Sequence, residues 1–224
     1  MNSKEIISDI CKIYEKYFVP KNLQVHMFRS AAVGEMIADN WIGPKINKDN
    51  LVVALLLHDL GNIVKMDVEN ETGVSAKLIK EHKDKPLEFW REKKKEMIAK
   101  YGETDHEVTD KIVEELDASG EVKFIVTNGT FSNNEHVLES DNWELKIKAV
   151  SDQRIGPWGV LSLEERFEEV KKRYANRSGS SIHNSNAEKW MDCAFKIQDQ
   201  VFANCKIKPE DINDETIKLY LEKY

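Results

Sequence analysis

Seven apolar residues in a row, Leu51 to Leu57, run directly into His58 and Asp59, and Gly61 follows two positions on. A helix apolar on every side is a buried helix, not a half-exposed one. A carboxylate at the end of such a helix costs several kcal/mol to desolvate unless it is paired or metal-bound. Whatever folds around the stretch Leu51–Lys65 must therefore bring a partner to Asp59.

The remainder of the chain reads as helix. Five Pro and ten Gly in 224 residues are few, which favours long helices over a turn-rich β-protein. Apolar residues make up 41% and charged residues 33%, enough for a real core beneath a charged surface. The expectation is an all-α protein, one domain over residues 1–224, with a metal-binding core at about 20–176 and a C-terminal helical extension at about 177–224. Helices are expected at 3–18, 22–41, from Asn47 through the opening stretch, 74–81, 87–101, 104–118, 121–128, 142–152, 162–174, 187–205 and about 214–222. Capping boxes at Asn2–Glu5, Thr104–Glu107 and Ser162–Glu165 open three of these. Residues 131–135 and 176–186 read as loops.

A net charge of −7 argues against a nucleic-acid duplex or an anionic membrane as partner. Cys11, Cys193 and Cys205 are scattered and odd in number, which suits free, buried thiols in a reducing compartment. Residues Met1–Glu5 lack a signal-peptide pattern, and no apolar run reaches the ~20 residues of a membrane span. The simplest expectation is a cytoplasmic protein.

His26, His58, Asp59 and Asp152 bring two imidazoles and two carboxylates near the ends or inner faces of three apolar helices. That donor set suits Mn, Fe, Co, Ni, Zn or Mg. The spacing from His26 to His58 leaves room for a helix, a turn and a second, antiparallel helix. A divalent ion there would acidify water and polarise a phosphoryl oxygen. Asn62 and Lys65 follow His58 by four and seven residues, Arg29 lies one turn beyond His26, and Arg154 closely follows Asp152. Their cationic groups suit a phosphate and its transition state. The plainer readings are a satisfied core histidine at His26, a solvated Lys65, and Arg29 or Lys65 simply neutralising the buried pair.

The order His…His-Asp…Asp, with "HDLGN" after an apolar helix and "SDQRIGPWG" later, resembles the HD-domain metal-dependent phosphohydrolases over roughly residues 20–176. The resemblance implies an HD-like helical bundle and a divalent metal held by His26, His58, Asp59 and Asp152. It also implies hydrolysis of phosphate esters, most often in nucleotides. On that reading Asp59 orients or deprotonates the attacking water, while Arg29 and Lys65 bind phosphate oxygens. The chain departs from branches that carry acidic residues just after the doublet, since Gly61-Asn62 stand there and the nearest Glu is Glu69. His106 and His136 are candidates for a second metal or for substrate, beside plain surface or capping roles.

The favoured function is thus a metal-dependent phosphohydrolase of a nucleotide or another small phosphate ester. One alternative is a nucleotide-sensing HD module without turnover, another a metal-free helical interaction protein. The run Lys93–Lys95 reads as a solvated face, Trp158 as a turn-packing or base-stacking residue, and 177–185 as a lid or a plain connection. Substrate, metal identity and number, and homo-oligomer formation stay open at this level.

Overall fold

The apolar run forms the helix on which the others converge. In the computed structural model, which describes residues 1–175 and 184–224, every residue from Leu51 to Leu57 is at most 3% exposed. Among the described residues there are twelve α-helices and no strand. They are α1 (Ser3–Lys16), α2 (Lys21–Asp39), α3 (Lys48–Leu57), α4 (Val74–Glu81), α5 (Leu87–Tyr101), α6 (Asp105–Glu115), α7 (Gly120–Asn128), α8 (Asn134–Glu139), α9 (Trp143–Gln153), α10 (Leu163–Tyr174), α11 (Ala187–Phe202) and α12 (Lys218–Leu221). Helix α3 packs against α1, α2, α7 and α9, so from Leu51 onward it has no solvent face, as the lack of polar positions there requires.

The stretch from Asn47 to Lys65 is not one helix. Asn47 caps α3 through its side chain, but α3 stops at Leu57 and a single 3₁₀ turn follows at Asn62–Lys65. The reason lies in the last carbonyls, which a helix end leaves without intrahelical donors. That of Leu55 accepts from His58 Nδ1 at 2.8 Å, that of Leu56 from the Tyr14 hydroxyl at 2.7 Å, and that of Leu57 from the Leu60 amide at 3.2 Å. With all three satisfied in this way, the chain turns, and the turn carries His58 and Asp59.

Two glycines set how closely the elements around that turn approach. A Cβ on Gly34 of α2 would overlap Leu55 Cδ1 of α3 and lie 3.4 Å from Ser151 Oγ of α9, so the three helices meet there at minimum separation. Leu55 is fully buried and has little room to swing aside. Gly61 donates its amide to Thr109 Oγ1 at 2.9 Å, and a Cβ on it would overlap the Asp105 carbonyl oxygen and sit 2.8 Å from the Thr109 nitrogen. Those are backbone atoms, which cannot move away without shifting α6.

Helix α9 is buried around most of its circumference, and two of its buried residues are Lys146 and Lys148. Helix α11 packs on α8 and α9, and α12 packs on α2. The C-terminal segment is tied down at Glu35, which is 7% exposed and accepts from Lys223 Nζ at 3.1 Å and the Tyr224 hydroxyl at 3.3 Å. A second apolar cluster, Leu163, Phe167, Ala187, Met191 and Ala194, joins α10 to α11, with Phe131 at its edge.

Several local expectations are revised. Of the expected loop at 131–135, residues 131–133 form a 3₁₀ turn and 134–135 open α8, because Asn134 is fully buried and its amide donates to Gln153 Oε1 and the Trp190 carbonyl, both at 3.0 Å. The Thr104 cap forms, but Glu107 pairs with Lys111 at 2.8 Å. The last helix shrinks to one turn at Lys218–Leu221, preceded by a 3₁₀ turn at Pro209–Asp211. Of the three free cysteines only Cys193 is buried, and Cys11 is exposed. Residues 176–183, most of the expected Ser-rich loop, lie outside the described residues. No described helix is long and apolar enough to cross a membrane.

Gly61→Ala should therefore destabilise the protein by about 1–3 kcal/mol, the usual cost of overpacking against atoms that cannot yield. Denaturant unfolding measures this; a midpoint equal to wild type would show that α6 does not hold the turn after the doublet.

Candidate metal centre

Three helices deliver the donors. His26 lies in the second turn of α2, His58 caps α3, and Asp152 sits in the last turn of α9. His26 Nε2 lies 3.2 Å from His58 Nε2 and 3.2 Å from Asp152 Oδ1, and His58 Nε2 lies 3.1 Å from the same oxygen. Their ligand atoms form a group within 4.8 Å of one another. Asp59 stands beside this group rather than in it. Its carboxylate oxygens are 3.5 Å from His26 Nε2 and 3.7 Å from His58 Nε2.

The surroundings prepare these atoms to receive a cation. A carbonyl can only accept, so the bond from His58 Nδ1 to Leu55 fixes a ring proton on Nδ1, and in the neutral imidazole Nε2 then carries the lone pair that a cation needs. Lys148 is 2% exposed and donates from Nζ to Asp152 Oδ2 at 3.1 Å and to the Gly129 carbonyl at 2.8 Å. That bond occupies one carboxylate oxygen and directs the other, Oδ1, at both imidazoles. Metal–ligand bonds of about 2.0–2.2 Å at near-right angles put neighbouring donors about 3 Å apart, and the triangle seen here fits that spacing. Two imidazoles and a carboxylate, with a second carboxylate adjacent, are donors for a borderline or hard divalent ion.

Charge is balanced across the cluster. Burial pushes the His58 imidazolium down, but the carboxylates of Asp152 and Asp59 outweigh it and leave the pKa raised. Burial pushes the Asp59 carboxyl up, while His58, Lys65 and His26 bring it below its ordinary value. Asp152 is held well below the carboxylate range: against burial stand His58, Lys148 and the hydrogen bonds from both imidazoles.

The donors open into a cavity of about 1230 Å³ that Arg29, Asn62, Lys65 and His106 also line. Arg29 lies 3.9 Å from Asp214, Lys65 pairs with Asp105 at 2.6 Å, and Asn62 is 5% exposed. Arg154 is elsewhere. It is 3% exposed and donates to Gln198 Oε1 and the Ile212 carbonyl, both at 3.2 Å. The two-residue step from Asp152 turns it away from the cavity and into the contact with α11. His136 is exposed on α8, and Glu69 pairs with Arg91 at 3.3 Å, outside the cavity lining. Within the basic run only Lys95 is exposed: Lys93, with a side chain 20% exposed, pairs with Glu96 and lies over the Phe18 ring, and Lys94 lines the cavity. Trp158 is 56% exposed and donates to Glu81 at 3.0 Å, so the turn reaches the cavity through Gly156 and Pro157 instead.

Lys148 is the residue that sequence reasoning passed over. Its signal was present: it stands four residues before Asp152, on the same helical face.

The all-α bundle brings His26, His58 and Asp152 from three helices into one group that could hold a metal ion. Residues 24–126 match the model of the HD domain family. The family consists in general of metal-dependent hydrolases. Asp152 lies beyond the matched span, and the packing of α9 against α2 and α3 brings it back to His26 and His58. No curated protein and no solved structure gives a significant match.

Two outcomes follow for this centre. Lys148→Met should weaken divalent-metal affinity about 10- to 100-fold, as loss of a group that orients a ligand does; metal titration measures it, and wild-type affinity in the variant would deny Lys148 that role. The raised pKa of His58 means that a proton holds this nitrogen from a higher pH than in free imidazole. Metal binding should therefore release protons and weaken as pH falls. Calorimetry in two buffers of different ionisation enthalpy reads this directly, and identical heats would contradict it.

Proposed function

We propose that the protein is a metal-dependent phosphohydrolase that acts on a nucleotide or another small phosphate ester. The observation that carries this reading is the cluster of His26, His58 and Asp152, which opens into a cavity that Arg29 and Lys65 also line. Cationic groups beside metal-type donors suit an anionic phosphate ester.

His26, His58 and Asp152 would hold the ion, with Asp59 as a neighbouring carboxylate able to join them. A bound divalent ion supplies Lewis acidity at a phosphoryl oxygen and makes water more acidic. Asp59 is ionised at neutral pH, because its pKa is lowered, and so accepts a proton from the attacking water or holds that water in line. Lys148 keeps Asp152 oriented and takes no part in proton transfer. Arg29 and Lys65 bind phosphate oxygens and hold the charge that develops there. Lys65 would do so while paired to Asp105, a contact that fixes its ammonium group at the cavity wall. Asn62, buried at the same wall, offers an amide donor, and His106 also lines the cavity.

The test is a panel of nucleotides and simple phosphate esters, assayed with Mn, Co, Ni or Mg, on wild type and Asp59→Asn. Turnover of at least one ester should appear with metal and fall about 100-fold or more in the variant, the usual scale for losing a proton acceptor. Undiminished turnover by a folded Asp59→Asn protein would remove Asp59 from the mechanism. Ligand binding with no turnover across the panel would point to a sensing module instead.

A further inference from the structure

Three residues of α2 line the cavity along one stripe. Asn22, His26 and Arg29 follow at four and then three positions, so they share a face of the helix. His26 is the metal donor among them. Arg29 lies one turn to its C-terminal side, and Asn22 one turn to its N-terminal side, about 6 Å away along the helix axis. A phosphate drawn to the ion and to Arg29 leaves Asn22 to the rest of the ester.

Asn22 Oδ1 is the one buried side-chain oxygen that meets no donor among the described residues. The donors nearest to it in the chain are all taken elsewhere. The Lys21 amide goes to Asp84 Oδ2 at 2.6 Å, and those of Leu23 and Gln24 go to the Pro20 carbonyl at 2.9 and 3.0 Å. The Gln24 side chain donates to the Val19 carbonyl at 2.8 Å. An Asn in a first turn ordinarily serves the helix end, but α2 opens at Pro20 with no side-chain cap. A buried acceptor left over in this way calls for a donor from outside the chain. The oxygen is shut off from solvent as the protein stands. The side chain nevertheless lines the cavity, and an amide torsion is broad and roughly two-fold, so rotation of the amide can offer the oxygen to a ligand.

We propose that Asn22 is a specificity-determining residue that hydrogen-bonds a hydroxyl of the substrate, so that the preferred ester is that of a sugar or another polyol and not of a plain alcohol. The place of the phosphate rests on the hydrolase reading above; the hydroxyl contact rests on Asn22 alone. A hydroxyl donates to the amide oxygen or accepts from the amide nitrogen, so it satisfies Asn22 in either orientation. Discrimination comes from what the wrong ligand leaves unpaired. A plain alkyl ester covers the amide without bonding to it, and that penalty falls on the alkyl ester only.

Phosphonates, whose P–C bond resists hydrolysis, test this by binding alone. Propyl-, butyl- and pentylphosphonate are compared by calorimetry, on manganese-supplemented protein, with the same compounds hydroxylated in turn at each carbon beyond the first. Wild type should bind the hydroxylated compound about tenfold more tightly at one or more positions. Asn22→Leu and Asn22→Ala should bring that ratio towards unity by weakening the hydroxylated compounds, with the plain alkylphosphonates little changed. Asn22→Gln, which keeps the amide, should restore part of it. A ratio near unity at every position in wild type, or a ratio that survives both Asn22→Leu and Asn22→Ala, would overturn the assignment. If the Asn22-dependent ratio is found and no ester is hydrolysed, the hydrolase reading fails while the hydroxyl contact stands. If esters are hydrolysed and the ratio is absent, the hydroxyl contact fails while the hydrolase reading stands.

Discussion

The Asp152 carboxylate is the point on which the centre depends. One oxygen is held by a buried lysine and the other is shared by two imidazole nitrogens at 3.1 and 3.2 Å. A buried carboxylate is tolerated only when its lone pairs are occupied, and here every occupant comes from a packed helix. His26 arrives on α2, His58 at the end of α3, and Lys148 from within α9 itself. The close approach of those helices at Gly34 is what lets short side chains meet. Core packing and site geometry are thus the same constraint: a shift between α2, α3 and α9 would separate donors on three helices at once.

The same arrangement explains why α3 ends where it does. The side-chain and turn donors that take the last carbonyls of α3 fix the tautomer of His58 and set Asp59 facing the cavity. Gly61 then lets the chain pass against α6, which returns Asp105 to Lys65 and His106 to the cavity.

Much of this was legible in the residues. An uninterrupted apolar run predicts a helix buried on all sides, and α3 is one. Side-chain caps at Asn2, Asn47, Thr104, Asn142 and Ser162 mark helix starts, because local hydrogen bonds decide them. What was not legible depends on distant partners. Asn134 lies in a polar stretch that reads as a loop, and only its bonds to Gln153 and Trp190 turn it into a buried helix start. Lys148 reads as a surface lysine until Gly129 and Asp152 are seen to take its charge. Arg154 follows a candidate ligand by two residues and looks like a substrate clamp, yet helical geometry carries it round into the core. The helix at 162–174 reads as charged and amphipathic, and which partners its apolar face meets, Phe131 and α11, shows only in the fold.

The most direct test of the account is X-ray absorption spectroscopy of the protein loaded with one equivalent of cobalt or manganese. The geometry predicts a first coordination sphere of nitrogen and oxygen only, with the outer-shell scattering of two imidazoles, reduced to one in His58→Ala. A sphere without imidazole, or a spectrum unchanged by His58→Ala, would contradict a metal centre built on His26, His58 and Asp152.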